Sequence, residues 1–209
     1  LIRRATPDDV PFLAWVVVAA ARSHLPRGFW DLFAGDDEPR ALALAERLLR
    51  ADAPSWWHGS LFWIAEHEGR PGAALSGFDP TRLAAPAAAL PVAAAAAGFD
   101  RAGLAAALER CTPLFGCFHE PAPEAWVVES VATRPEARGR GLGAALVAHV
   151  LAEGRARGHA VAQLSLMIGN TPAQRLYERH GFAISAEKRS PDFAAALGCP
   201  GIAQMTCRG

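Results

Sequence analysis

Apolar and polar positions recur with two different periods along this chain. Residues 2–5 suit a short first strand. Thr6-Pro7-Asp8-Asp9 has the form of a helix start, with Thr6 as N-cap, Pro7 in the first turn and Asp9 as the acidic partner three residues on. The apolar run 12–21 predicts a buried first helix. Leu42, Ala45, Leu48 and Leu49 recur at helical spacing and predict a second helix over 39–50. Asp36-Asp37-Glu38 precede it, where negative charge suits the helix dipole; substrate binding is the other use for such a cluster. Residues 61–66 predict a strand, Glu68-Gly69-Arg70 a turn and 72–78 the returning strand. Residues 79–124 are Ala- and Pro-rich, with one helix predicted over 100–111, and are expected to be an insertion or cover segment.

The C-terminal third is the most regular. Residues 125–133 (AWVVESVAT) predict a strand, 134–140 a loop, and 141–157 a helix with Leu146, Val147, Val150 and Leu151 on its core face. A strand over 161–168 follows, then a short helix over 172–179 closed by Gly181. Residues 182–188 and 202–207 supply two final strands. This order predicts an α/β (α+β) fold in one domain, 1–209, with a right-handed crossover joining parallel strands.

Composition narrows the classes. The 209 residues carry 21 basic and 21 acidic side chains, so no basic excess marks a nucleic-acid or anionic-membrane binder. Apolar residues make up 51%, enough for a substantial core. Twenty of the basic residues are arginine and one is lysine, Lys188, beside 46 alanines, a skew expected from a GC-rich genome. Cys111, Cys117, Cys199 and Cys207 have no zinc-site spacing, so no metal is expected and free thiols are. No signal peptide or membrane span is apparent, and a cytoplasmic location is expected.

The chemistry concentrates at Arg138-Gly139-Arg140-Gly141-Leu142-Gly143, between a strand and a helix start. Three glycines leave backbone N–H groups unobstructed, and the helix N-terminus adds unpaired donors and partial positive charge. The result is an anion site suited to a pyrophosphate. A P-loop is excluded because no GK[ST] follows, and a Rossmann fingerprint lacks an acid at the end of the next strand. A glycine-rich turn with exposed arginines is the structural alternative.

Arg138-x-x-Gly141-x-Gly143 after a strand ending Val131-Ala132-Thr133, followed by Asn170-Thr171-Pro172-Ala173-Gln174-Arg175-Leu176-Tyr177, resembles the GNAT superfamily of acyl-CoA-dependent N-acyltransferases. The close match covers about 125–189, which the resemblance makes the acyl-CoA-binding core. It implies a mixed, mostly antiparallel twisted sheet, splayed at its parallel pair of strands and flanked by helices. It implies acetyl-CoA as co-substrate and an amine of a small molecule or peptide as acceptor. The backbone of Gly139, Arg140, Gly141, Leu142, Gly143 and Ala144, with the Arg138 and Arg140 side chains, would hold the pyrophosphate. Val131 and Thr133 would pair with the pantetheine arm, while Asn170 and Ala173 would line its other side. Tyr177, the only tyrosine, would be the general acid; a core aromatic is the other use for it. Glu129 lies two residues before Val131, hence on its face by strand alternation, and is a candidate base. A non-catalytic acyl-CoA-binding or regulatory module on the same scaffold is the alternative function.

The acceptor side is expected in the early helices and the last hairpin. Trp30, Trp56 and Trp57 are candidates for an aromatic pocket, with Trp15 and Trp63 as core, and Asp31 and Asp36 are candidate polar selectors. The segment 190–201 is expected to cover the acceptor or make a homodimer contact.

Overall fold

A computed structural model describes residues 1–208. Its strands are β1 (Ile2–Arg4), β2 (Phe62–His67), β3 (Arg70–Phe78), β4 (Ala125–Thr133), β5 (Val161–Met167), β6 (Ala183–Arg189) and β7 (Gly201–Arg208). Its helices are α1 (Val10–Arg22), α2 (Phe29–Ala34), α3 (Glu38–Leu49), α4 (Pro86–Ala96), α5 (Arg101–Phe115), α6 (Leu142–Ala156), α7 (Thr171–Glu178) and α8 (Pro191–Leu197). The sheet order is β1-β2-β3-β4-β5-β7-β6, antiparallel throughout except for the β4–β5 pair. This is the α/β fold that the order of strands and helices predicts, with the mixed, mostly antiparallel sheet that the resemblance implies.

The N-terminus is pinned as the Thr6 and Asp9 pattern predicts. The Asp9 carboxylate accepts from the Thr6 N–H at 2.8 Å and from Arg3 at 2.7 and 2.9 Å. The Arg3 guanidinium holds the Asp9 carboxyl down at about 2. The charge cluster 36–38 is likewise structural. Asp37 caps α3 by accepting from the Arg40 N–H, Glu38 pairs with Arg22 at 2.8 Å, and Asp36 with Arg27 at 3.0 Å.

Two cores form, one on each face of the sheet. On the first face, α1 crosses β4, and Leu13, Val16, Val17 and Phe33 pack with Phe62, Ile64 and Ala74. On the second, α6 lays Leu146, Val147 and Val150 against Leu75, Val128 and Leu164. Close approach of α6 depends on two glycines. A methyl group on Gly154 would sit 2.6 Å from the Trp126 ring, and one on Gly77 would collide with Val150.

Residues 79–124 hold two helices where one was predicted. Leu90, Ala93 and Ala94 of α4 and Ala107, Cys111 and Leu114 of α5 belong to the first core, continuous with α1–α3. The periodicity of α4 is hidden because it is almost all alanine, with Pro91 inside it. The segment 190–201 is also not a plain loop. Ser190 caps α8, which buries Phe193 and Leu197 in the first core.

Candidate active site

The site begins where β4 and β5 part. Their pairing runs through Ala125–Val161, Trp126–Ala162 and Val127–Gln163, and no pairing continues beyond, although β4 extends to Thr133 and β5 to Met167. The far halves of the two strands therefore leave backbone groups facing a gap. The Arg134 N–H donates to Gly72 O at 2.8 Å on the β3 side. Alternation along the strand then turns the Thr133 N–H and C=O toward the gap.

β4 carries a bulge inside this opening. Ser76 of β3 pairs with Glu129, but Ala74, two residues back, pairs with Ala132, so β4 has one extra residue. Ser130 takes it up with a φ of 53°, unusual for a non-glycine residue. This overturns the expected shared face of Glu129 and Val131. Glu129 lies with Ser76 and Ala132 on the α1 face, whereas Val131 packs into the core on the α6 face. Period-two counting fails here because the bulge resets it, and no glycine in the sequence signals the bulge.

Glu129 is enclosed. Its Oε2 is buried without a hydrogen-bond partner, and burial raises its carboxyl to about 7. Ser76 Oγ–H donates to its backbone oxygen at 3.1 Å, which secures the strand but leaves the carboxyl unpaired.

The glycine-rich turn lies at the β4 exit. Gly139 and Gly141 hold φ of 73° and 77°, backbone conformations that L side chains strain to adopt. Gly141 is the N-cap of α6, and the helix starts there without a side-chain cap. The N–H groups of its first turn thus remain free of intrahelical partners. A methyl group on Gly143 would meet the Leu176 and Thr133 side chains at 3.6 and 3.7 Å, so the start of α6 lies close to both the β4 end and α7. Arg138 and Arg140 are exposed. Arg134 is turned away, its guanidinium 4.9 Å from the Phe12 ring and 5.5 Å from the Trp15 ring.

Across the gap, Asn170 caps α7. Its Oδ1 accepts from the Ala173 N–H at 3.2 Å and its Nδ2 donates to Ser23 Oγ at 2.6 Å. Its side-chain amide is thus engaged within the chain. Tyr177 lies about two turns beyond Asn170 along α7, only 6% exposed, edge-on to Phe182 at 6.0 Å in the α6-side core. Burial pushes its phenol well above the usual tyrosine range, so the hydroxyl keeps its proton at any physiological pH. Tyr177 and Glu129 therefore belong to opposite faces of the sheet, on either side of the opening.

The aromatic pocket expected around Trp30, Trp56 and Trp57 does not form as drawn. Trp30 is core and stacks edge-on with Trp57 at 5.2 Å, while Trp56 packs on Phe78 at 5.7 Å. Asp31 is not a free selector either. Burial works against its charge, but the Arg22 guanidinium at 2.6 Å and the Gly28 N–H outweigh that and hold the carboxyl below the usual range. The cysteines are free, and burial pushes the Cys111 thiol up to about 12, which removes it as a nucleophile. No group of three or more His, Cys, Asp or Glu side chains suited to a metal forms among the described residues. No helix among them is long and apolar enough to cross a membrane.

A sheet parted at its one parallel pair, with a glycine-rich helix start at the mouth, is the arrangement the resemblance to the GNAT superfamily implies. The model of the acetyltransferase (GNAT) family matches residues 28–182, and the chain belongs to that family. No curated protein matches the sequence. Among solved structures, one described as an acetyltransferase superposes with a TM-score of 0.68 at 18% identity, covering 100% of this chain and 98% of its own. An N-acetyltransferase from Staphylococcus aureus Mu50 gives 0.65 at 18%, covering 99% of each chain. Rv2747 from Mycobacterium tuberculosis, in complex with CoA and NLQ, gives 0.51 at 16%, covering 100% of this chain and 99% of its own.

Proposed function

We propose that this protein transfers an acetyl group from acetyl-CoA to a primary amine of a small molecule or peptide by direct attack. One observation carries the reading. The β4–β5 pairing stops at Val127, and beyond that point β4 carries the unpaired Glu129 carboxyl and leads into the uncapped N-terminus of α6. Membership of the family and the CoA bound to the M. tuberculosis neighbour support the choice of acyl donor.

The free N–H groups from Gly139 to Ala144 and the Arg138 and Arg140 side chains hold the pyrophosphate. Backbone groups of Val131 and Thr133 pair with the pantetheine arm as an added strand would, and the first turn of α7 at Asn170 and Ala173 flanks it. The Glu129 carboxylate accepts the proton of the incoming ammonium; a carboxyl near 7 is poised for that at neutral pH. The neutral amine attacks the thioester carbonyl, a β4 N–H beside the bulge stabilises the oxyanion, and the C–S bond breaks. As the C–S bond breaks, the Tyr177 hydroxyl passes its proton to the departing thiolate, whose thiol pKa is roughly 8.5, and takes up the proton lost by the acylated nitrogen, so the phenol is neutral again at the end of the step.

The burial of the Tyr177 side chain, away from an incoming substrate, is what favours the alternative, a non-catalytic acyl-CoA-binding module. Calorimetric titration with acetyl-CoA and an amine panel separates the two. Binding with turnover supports the enzyme. Binding without transfer to any amine supports the module, and no binding defeats both. Replacing Arg138 and Arg140 together by alanine is expected to weaken acetyl-CoA binding at least tenfold and to flatten its salt dependence.

A further inference from the structure

Helix α1 ends at a residue whose backbone is in an unfavourable conformation. Ser23 is its C-cap, with φ 59° and ψ −116°, in a region that glycine occupies freely and serine does not. Its N–H closes α1 on Ala19 O and Ala20 O at 3.1 Å each. A glycine would satisfy that turn with less strain, so the side chain itself needs an explanation.

The hydroxyl has a specific partner. Ser23 Oγ accepts from Asn170 Nδ2 at 2.6 Å, across 147 residues of chain. The same Asn170 caps α7 through the Ala173 N–H. Ser23 Oγ also lies 3.4 Å from His24 Nδ1, and the His24 ring rests against Gly169, where a methyl group would come within 3.2 Å of Nε2. Gly169 itself needs a positive φ of 100°. The end of α1 and the turn leading from β5 into α7 therefore interlock through a short hydrogen bond and a close ring contact. These two elements flank the β4–β5 opening from different sides. α1 lies on the face of Glu129, and the β5–α7 turn continues the strand that has parted from β4.

We propose that the Ser23–Asn170 hydrogen bond is a clasp across the mouth of the opening, through which acyl-CoA binding beside α7 orders the 23–28 segment on the acceptor side. Ser23 is a positioning residue in this scheme; it holds the Asn170 amide, and through it the first turn of α7. The inference rests on the acyl-CoA reading of the site above.

Two substitutions separate the clasp from ordinary packing. Ser23→Gly relieves the backbone and removes the hydroxyl. Ser23→Thr keeps the hydroxyl but places a β-branched residue at positive φ. The expected result is crossed. Ser23→Gly melts at or above the parent temperature yet binds acetyl-CoA about tenfold more weakly. Ser23→Thr melts lower yet retains near-parental affinity while folded. Hydrogen exchange adds a readout of coupling: acetyl-CoA is expected to slow exchange over 23–28 in the parent and not in Ser23→Gly. Parental affinity together with parental protection in Ser23→Gly overturns the clasp. Affinity that follows melting temperature in both variants overturns it too, leaving only a structural contact. Failure of the unsubstituted protein to bind acetyl-CoA instead overturns the underlying functional reading.

Discussion

Glu129 ties stability to pH in a direction opposite to most carboxylates. Burial raises it from an ordinary 4.5 to about 7. Between those values the folded chain keeps a proton that the unfolded chain has released, so stability falls as pH rises across that window. The full penalty, on the order of 3 kcal/mol, is present above about pH 7 and absent below about 4.5. Glu129→Gln is therefore expected to stabilise the protein at pH 8 and to leave it unchanged at pH 4, as urea denaturation at the two values would show. The same substitution should remove the rise in acetyl transfer between pH 6 and 8. Tyr177→Phe tests the other side of the opening. It keeps the buried ring and its contact with Phe182, so melting should stay within a degree or two while turnover falls tenfold or more. Parental turnover would return Tyr177 to a packing role alone.

At the scale of elements, the C-terminal third was legible because each segment there obeys one period and is bounded by its own stop signal. β4 matches the predicted 125–133, and Asn170 and Gly181 bracket α7 as a cap and a stop should. Legibility failed where composition masks periodicity. α4 has no polar face to set its phase, and α8 is only seven residues long. Yet α8 is structurally important, since Phe193 is wholly buried. Phe193→Ala is expected to cost about 3–5 kcal/mol, and a chemical-denaturation midpoint unchanged by it would contradict the packing described. Asp9 makes the opposite test at the N-terminal turn. Its carboxyl is depressed to about 2, so its contribution is present above about pH 4 and is lost as pH falls toward 2. Asp9→Asn should accordingly remove stability at pH 7 and little of it at pH 2.

For the whole molecule, zero formal net charge provides no global field to steer a strongly charged acceptor, so selectivity belongs to local groups. Several of the obvious ones are already engaged: Asp31 with Arg22, Asp36 with Arg27, Trp30 with Trp57. The first core also extends through α4, α5 and α8, so the face that carries Glu129 is heavily covered. A bound acyl donor should register as global stabilisation. Acetyl-CoA at a hundredfold excess over its dissociation constant adds roughly 2.7 kcal/mol, which thermal melting would detect; NAD should produce no shift.

What the sequence determined by itself was local. Cap residues, strand and helix periods, and the ordered pair of motifs at 138–143 and 170–177 are encoded within short windows, because backbone sterics and periodic burial act over a few residues. The tertiary structure decided everything that depends on two distant segments meeting. The β4 bulge puts Glu129 and Val131 on different faces, because the register with β3 places an extra residue at Ser130. The acidic and aromatic residues of the N-terminal half became ion pairs and core, because partners for them lay within reach once α1–α3 had packed. Ser23 gained its importance from Asn170, a contact that no local pattern could announce.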